Sequence, residues 1–183
     1  LDAIKKFMIE KNVYHKLNDY IKASGDLAVK LYKEDIEAAL RTKDFGGFEL
    51  LSLSDYTGQS TATVGILDVF YESKGLISHD EFKNFAGEAV PLFKAKRIFK
   101  NTDTLEAELD LYDFGEKKIN NPVYNLTVQN GKQVFYKTST TESKVSIPLN
   151  SITKSTMLSV ILEVNGYKNT WRIFVFAENK IEN

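Results

Sequence analysis

A carboxylate, a phenol and an amide stand close together in the loop Ser54–Gln59, which reads SDYTGQ. Asp55 can accept hydrogen bonds, Gln59 can both donate and accept them, and Tyr56 offers an aromatic ring face. These residue types together could bind a polar ligand, so they are the candidate binding residues of the chain. One alternative stays open: Asp55 caps the turn, and Gly58 only permits its backbone conformation.

The remaining sequence offers few groups for metal or nucleophilic chemistry. It contains no Cys, which excludes disulfides, thiolate nucleophiles and Cys-ligated zinc. His15 and His79 are far apart and match neither HxH nor HExxH spacing, so we predict no metal site and no cofactor. His79 follows Ser78 in a capping box that ends at Glu81, and it is predicted to lie in the first turn of a helix.

Composition and charge limit the classes of partner. The chain has 183 residues with 43% apolar content, and its 24 Lys and Arg nearly balance its 25 Asp and Glu. No overall field attracts nucleic acid or an anionic membrane, and no apolar run reaches the roughly 18 residues of a membrane span. We therefore expect neither a nucleic-acid nor a membrane partner. Because the sequence begins inside a helical pattern, we also expect it to be a fragment.

Helical periodicity dominates the first 41 residues. Short helices are predicted from Asp2 and from Val13, the second ending near Ser24-Gly25, and a third helix is predicted from Asp26. The third has an apolar stripe and, on its opposite side, the pair Lys33/Glu37. The stripe consists of Val29, Tyr32, Ile36 and Leu40.

A nearly continuous apolar run, Phe48–Leu53, follows the pair Gly46-Gly47. Such a run predicts a strand that is buried on both faces, as in a parallel sheet covered by helices. No other strand of this kind is visible, so its neighbours would be missing. An unpaired apolar edge would then either be covered by the chain's own helices or pair with a second copy as a homodimer.

From Ala95 onward the apolar period changes to two, which is typical of antiparallel strands with one buried face. Asn130-Gly131 and Asn165-Gly166 are hairpin signals. About seven short strands over roughly 85 residues predict an immunoglobulin-like sandwich with Trp171 in its core. The predicted strands lie around residues 97–99, 105–111, 124–128, 134–136, 145–149, 158–164 and 171–175.

The segment KEDIEAALRTKDFGGFELLSLSDYTGQSTATVGILDVFYESKG carries a family resemblance. It resembles the last helix, last barrel strand and exit loop of glycoside hydrolase family 2-like enzymes, the β-galactosidase-type group, and especially a gut-bacterial subgroup. The resemblance implies an α+β fragment. Residues 1–91 would be the end of a (β/α)8 catalytic barrel, with helices and the last barrel strand, and residues 92–183 would be an all-β immunoglobulin-like sandwich.

The resemblance also implies a function. Such enzymes cleave glycosidic bonds with two carboxylic acids, and this chain would begin after the strands that carry them, so no catalytic residue is predicted in it. Asp55, Tyr56 and Gln59 would contact the carbohydrate substrate at the carboxyl end of the last strand. A parent enzyme of this group would be periplasmic or secreted, and the isolated fragment would be inactive. The alternative is a non-catalytic carbohydrate-binding or structural β-sandwich module.

Overall fold

The structure is a computed structural model that describes residues 2–59 and 63–178. Its contacts divide the chain into two compact units, Leu1–His79 and Asp80–Asn183. The border predicted from the sequence, between residues 91 and 92, falls inside a β-strand of the second unit.

The first unit is mostly helical. Helix α1 spans Asp2–Glu10, and a short 3-10 turn leads into α2, Leu17–Arg41. The prediction of two helices separated near Ser24-Gly25 is wrong, because α2 runs through that point without interruption. A single glycine costs a helix only about 1 kcal/mol. Here the absence of a side chain also makes room, since a Cβ at Gly25 would lie 2.3 Å from Cδ2 of Leu76.

The buried face of α2 includes two residues of the predicted stripe and one unexpected acid, while Val29 and Tyr32 of the stripe are half-buried. Ile36 and Leu40 are buried, as the stripe predicts. Glu37, predicted for the solvent side, is fully buried and forms ion pairs with Lys33 and Arg41, the latter at 3.2 Å from Nη1 to Oε2. Pairing with cations one turn away on either side offsets the cost of burying this carboxylate.

The segment 48–53 does not form the predicted doubly buried strand. Residues 48–50 have no regular secondary structure, the side chain of Leu51 is 91% exposed, and Glu49 is exposed as well. Cover of this segment by the chain's own helices is therefore also wrong. The physical reason is that a strand needs neighbouring strands to bond its backbone N–H and C=O groups. Strand-like pairing begins only after residue 53, with an isolated parallel bridge between Ser54 and Leu67.

Helix α3 spans His79–Ala86, as the capping box predicts, and all of it except His79 belongs to the second unit. Eight strands follow in the described part of the chain. They are β1 (Ala89–Lys94), β2 (Ile98–Lys100), β3 (Thr104–Asp113), β4 (Tyr124–Asn130), β5 (Gln133–Thr140), β6 (Lys144–Pro148), β7 (Thr156–Val164) and β8 (Tyr167–Phe176).

These strands form a two-layer β-sandwich. One sheet has the order β1-β3-β6 and the other β2-β8-β7-β4-β5. All neighbours are antiparallel except β2 and β8, which run parallel. Both predicted hairpins form, and Asn165 and Gly166 take the positive φ values of 50° and 87° that a tight hairpin turn requires.

The core of the sandwich consists of the inward positions that the alternation predicts. Leu105, Ala107 and Leu109 on β3 are buried, and so is Trp171 on β8, at 4% exposure. Strand β1 was not predicted from the sequence. Its apolar residues carry no period-two signal, and Pro91 is tolerated because β1 is the edge of its sheet.

Candidate functional site

The described residues 51–59 and 63–74, in the first unit, carry the predicted binding residues on a folded loop. The loop is closed by backbone bonds, Leu67 N–H to the Leu53 carbonyl at 3.0 Å and Asp55 N–H to the Leu67 carbonyl at 3.0 Å. A second isolated bridge joins Leu67 to Ser73. Residues 53–55, 67 and 73 thus form a small three-way backbone junction that positions the side chains around it.

The Asp55 carboxylate ties this junction together. Its Oδ1 accepts a hydrogen bond from the Gly65 N–H at 2.9 Å and forms an ion pair with Lys74 Nζ at 2.6 Å. Lys74 Nζ also donates to the carbonyl of Gly65 at 3.0 Å. The Asp55 side chain is only 9% exposed. Its first role in this structure is therefore to hold the loop closed, through Gly65 and Lys74.

Gly65 is needed at this junction because there is no room for a side chain. A Cβ at this position would lie 2.4 Å from the carbonyl carbon of Ser54 and 2.5 Å from the amide nitrogen of Asp55. Both are backbone atoms that cannot move aside. The close approach is what brings the Gly65 N–H within reach of the Asp55 carboxylate.

Tyr56 is 62% exposed. Its ring lies against Gly58, where a Cβ would come within 2.3 Å of the ring carbon Cζ and of the hydroxyl oxygen. Gly58 therefore lets the ring fold back along the chain. Gln59 ends the 3-10 turn Thr57–Gln59, and its side chain lies outside the described part of the structure.

Asp55 and Tyr56 line the same cleft, which has a volume of about 590 Å³. The structure brings these two predicted residues together with hydroxyl-bearing side chains and with a second tyrosine that the sequence did not single out. The lining residues are Leu51, Ser52, Ser54, Asp55, Tyr56, Thr57, Val64, Val69 and Tyr71. A carboxylate, several hydroxyls and two aromatic rings can bind a polar ligand that also has an apolar face.

Tyr71 reaches the cleft from a turn that begins at Asp68. Oδ1 of Asp68 accepts hydrogen bonds from the N–H groups of Phe70 and Glu72, at 2.8 and 2.9 Å. The backbone of Tyr71 has a φ of 65°, in the left-handed region that non-glycine residues rarely adopt. No sequence pattern signals this conformation, because the run Val69-Phe70-Tyr71 reads as an ordinary apolar stretch.

Other candidate chemistry is sparse in the described residues. No group of three or more His, Asp and Glu side chains there could hold a metal ion. His15 lies in the 3-10 turn Tyr14–Lys16, and His79 begins α3. None of the described helices is long and apolar enough to cross a membrane.

The comparison with protein families concerns the second unit. Residues 103–177 match the model of a domain of unknown function, DUF8488. The match spans β3 to β8 and does not include the cleft. No curated protein matches the chain.

Among solved structures, the chain is similar to the sulfur carrier protein SoxY from Chlorobium limicola f thiosulfatophilum. The identity is 12%, the TM-score is 0.28, and the match covers 49% of this chain and 79% of that one. A TM-score this low carries no argument about fold or function.

Proposed function

We propose that this chain is the C-terminal part of a glycoside hydrolase of the family 2-like group, and that the catalytic pair of carboxylic acids lies upstream of it. The observation that carries the proposal is the cleft at residues 51–71. It collects Asp55 and Tyr56, two of the residues that the family resemblance assigns to carbohydrate binding, beside hydroxyl groups and a second aromatic ring. Carboxylates and hydroxyls match sugar hydroxyls, and aromatic rings match the C–H face of a pyranose.

The exposed apolar surface of the first unit supports a barrel origin. Among its described residues, the buried apolar side chains are Met8, Ile36, Leu40 and Ile66. Many more large apolar side chains are exposed, including Ile4, Phe7, Ile21, Leu27, Leu31, Phe48, Leu51 and Phe70. Helices with an apolar face need another layer of structure to bury it. The remaining strands and helices of a (β/α)8 barrel would supply that layer and would give residues 48–53 their strand neighbours.

The strand order of the second unit supports the immunoglobulin-like assignment. In that fold, strands C, F and G share one sheet, while B and E share the other. Strands β4, β7 and β8 are neighbours in the five-stranded sheet, and β3 and β6 are neighbours in the three-stranded one, so they correspond to these positions in order. One departure is that the buried Trp171 lies on β8, whereas antibody domains carry their core Trp on strand C.

The alternative, a non-catalytic carbohydrate-binding or structural module, has less support. A carbohydrate-binding sandwich would need exposed aromatic side chains in a row. Tyr124 and Trp171 are buried in the sandwich core instead, and Tyr136 packs against that core. An isolated sandwich would also leave the cleft in the first unit without a role.

The proposal is tested by extending the chain. We expect the coding sequence before Leu1 to specify the rest of a barrel, with two Glu residues at strand ends. The extended protein should hydrolyse aryl β-glycosides, while the 183-residue chain should match buffer in the same assay. A different upstream fold, or an extended protein without activity on any aryl glycoside, would contradict the proposal. Turnover by the 183-residue chain that Asp55→Ala abolishes would mean that the catalytic site has been misassigned.

A further inference from the structure

We infer that the outer face of the five-stranded sheet is a docking surface for a second copy of this chain, and that the two copies pack about a two-fold axis perpendicular to strand β8. This inference concerns the second unit and does not rest on the proposed function. It is carried by three observations: an apolar row across three strands, the contrast with the outer face of the other sheet, and the order of the charges along β8.

The apolar row crosses one end of the outer face of the five-stranded sheet. Ile98 on β2 lies opposite Phe174 on β8, and Met157 on β7 lies opposite the same Phe174. Their exposed fractions are 66%, 42% and 40% in the order Ile98, Phe174, Met157. Phe176, two positions further along β8 and therefore on the same face, is 54% exposed and completes the row. Four neighbouring large apolar side chains on an outward face indicate an interaction site rather than scattered surface residues.

The outer face of the three-stranded sheet shows that such a row is not a general property of the sandwich. Strand β3 carries Glu106, Glu108 and Asp110 at three successive outward positions, and all three are exposed. On β8 itself, the apolar outward residues are confined to the last part of the strand, because the earlier outward positions carry Thr170 and Arg172. The apolar row is therefore a local feature of one face, as a specific contact requires.

The charges along β8 fit a second copy of the same face. The outward positions run from a cation, Arg172, through Phe174 and Phe176 to an anion, Glu178, just beyond the strand. We place two such strands face to face and antiparallel, about an axis between Phe174 and Phe176. Each Phe174 then lies over the Phe176 of the second copy, and each Arg172 lies beside its Glu178. Parallel strands would instead place Arg172 against Arg172, so the charges select the antiparallel arrangement.

Glu178 is positioned for this contact although it lies beyond the end of β8. Its N–H donates to Oδ1 of Asn101 at 3.1 Å, and its Oε1 lies 2.8 Å from Nζ of Lys100. Because Lys100 shares the outward face of β2 with Ile98, this ion pair places the Glu178 carboxylate beside the apolar row. A carboxylate has two acceptor oxygens, so it can bind Lys100 and the Arg172 of the second copy together.

The size of the apolar row sets the strength of the expected dimer. The four exposed fractions correspond together to about two whole side chains, or roughly 400 Å² of apolar area at about 150–250 Å² for an aromatic side chain. A stable complex buries about 800 Å² on each partner, so the polar residues around the row must supply the other half. We therefore expect a weak dimer that depends on protein concentration.

Sedimentation equilibrium of the 183-residue chain, over about a hundredfold range of protein concentration, tests the inference. We expect the average mass to rise from that of a monomer toward that of a dimer. Phe174→Asp should raise the dissociation constant of the dimer about tenfold or more, because it places a charge against the Phe176 ring of the second copy. Leu51→Asp is the matched control: Leu51 is 91% exposed but lies in the first unit, so this variant should leave the dimer unchanged.

Two charge reversals test the two-fold arrangement. Arg172→Glu and Glu178→Arg should each raise the dissociation constant about fivefold or more, because each variant brings like charges together at both contacts. An equal mixture of the two variants should restore dimerisation, since every contact in the mixed pair again joins a cation and an anion. Both side chains are exposed, so the melting temperature of each variant should match that of the parent.

Three results would overturn the inference. A chain that stays monomeric at every concentration would refute a second copy as the partner. A dimer that Leu51→Asp abolishes and Phe174→Asp leaves intact would place the contact on residues 48–53 instead. Charge variants that leave the dimer unchanged, or whose mixture does not restore it, would refute the two-fold arrangement. None of these results bears on hydrolysis by the extended protein, which decides the proposed function separately.

Discussion

Replacing Trp171 by Ala tests whether the second unit is held together by one continuous core. The Trp171 ring packs against Phe93 with centroids 5.4 Å apart, and Val160 faces it on the neighbouring strand. Removing a buried Trp side chain exposes or empties roughly 200 Å² of apolar contact, which corresponds to about 5 kcal/mol at 25 cal/mol per Å². A compact unfolded state lowers that figure by about a third. We therefore expect a loss of about 3–5 kcal/mol in the free energy of unfolding, the range of other Trp-to-Ala substitutions in cores.

Urea titration followed by far-UV circular dichroism measures this loss. Intrinsic Trp fluorescence cannot serve, because Trp171 is the only Trp in the chain. Phe174→Ala is the matched control, since Phe174 is an aromatic residue on the same strand whose side chain is partly exposed. It should cost about 1 kcal/mol or less. A loss below about 1 kcal/mol for Trp171→Ala would refute the core assignment and would strengthen the binding-module alternative.

Three further predictions concern the loops and the unit borders. The backbone N–H of Ile119, followed by that of Gly115, holds the pKa of Asp113 below its ordinary value. The carboxylate therefore stabilises the fold above about pH 4, and this contribution is lost as the pH falls through the lowered pKa. Acid titration of Asp113→Asn should show a weaker pH dependence of stability than the parent, and an identical profile would refute the assignment. Lys74→Met should speed hydrogen exchange at the Gly65 amide by removing the cation that holds Asp55, whereas unchanged exchange would mean that the Asp55–Gly65 bond does not depend on Lys74. Residues 80–178 should unfold cooperatively as an isolated domain, whereas residues 95–178 should not, because the shorter piece lacks β1, which pairs with β3. Equal stability of the two pieces in urea would mean that β1 is not needed for the fold of the sandwich.

Homodimerisation through residues 48–53 stays a prediction. The segment is exposed and apolar, which makes it available to a second copy. Glu49 would oppose a close antiparallel pairing about itself, because two like charges would face each other. Hydrogen exchange at these amides that slows with rising protein concentration would indicate a dimer, and fast exchange at every concentration would exclude one.

The sandwich could be predicted from the sequence because its signals are local. The alternation from Leu105 to Leu111 gives the buried face of β3 without knowledge of any partner, and Asn165-Gly166 specifies its own turn through two positive φ values. Strand β1 has no such signal. Its burial depends on what surrounds it in space, and only the pairing of Phe93 with Leu109 in the folded sheet identifies it as a strand.

The candidate site divides in the same way. Asp55 and Tyr56 could be chosen by residue type and by their position after an apolar run, but the sequence could not decide between ligand binding and capping for Asp55. Lys74, which is 19 positions away, decides the first role of that carboxylate, and no local pattern joins the two residues. The presence of Tyr71 in the cleft depends on the backbone. The turn built on Asp68 forces this bulky residue into a conformation that glycine would adopt at lower cost. On stability alone that position would favour glycine or asparagine, because both adopt a positive φ at lower cost.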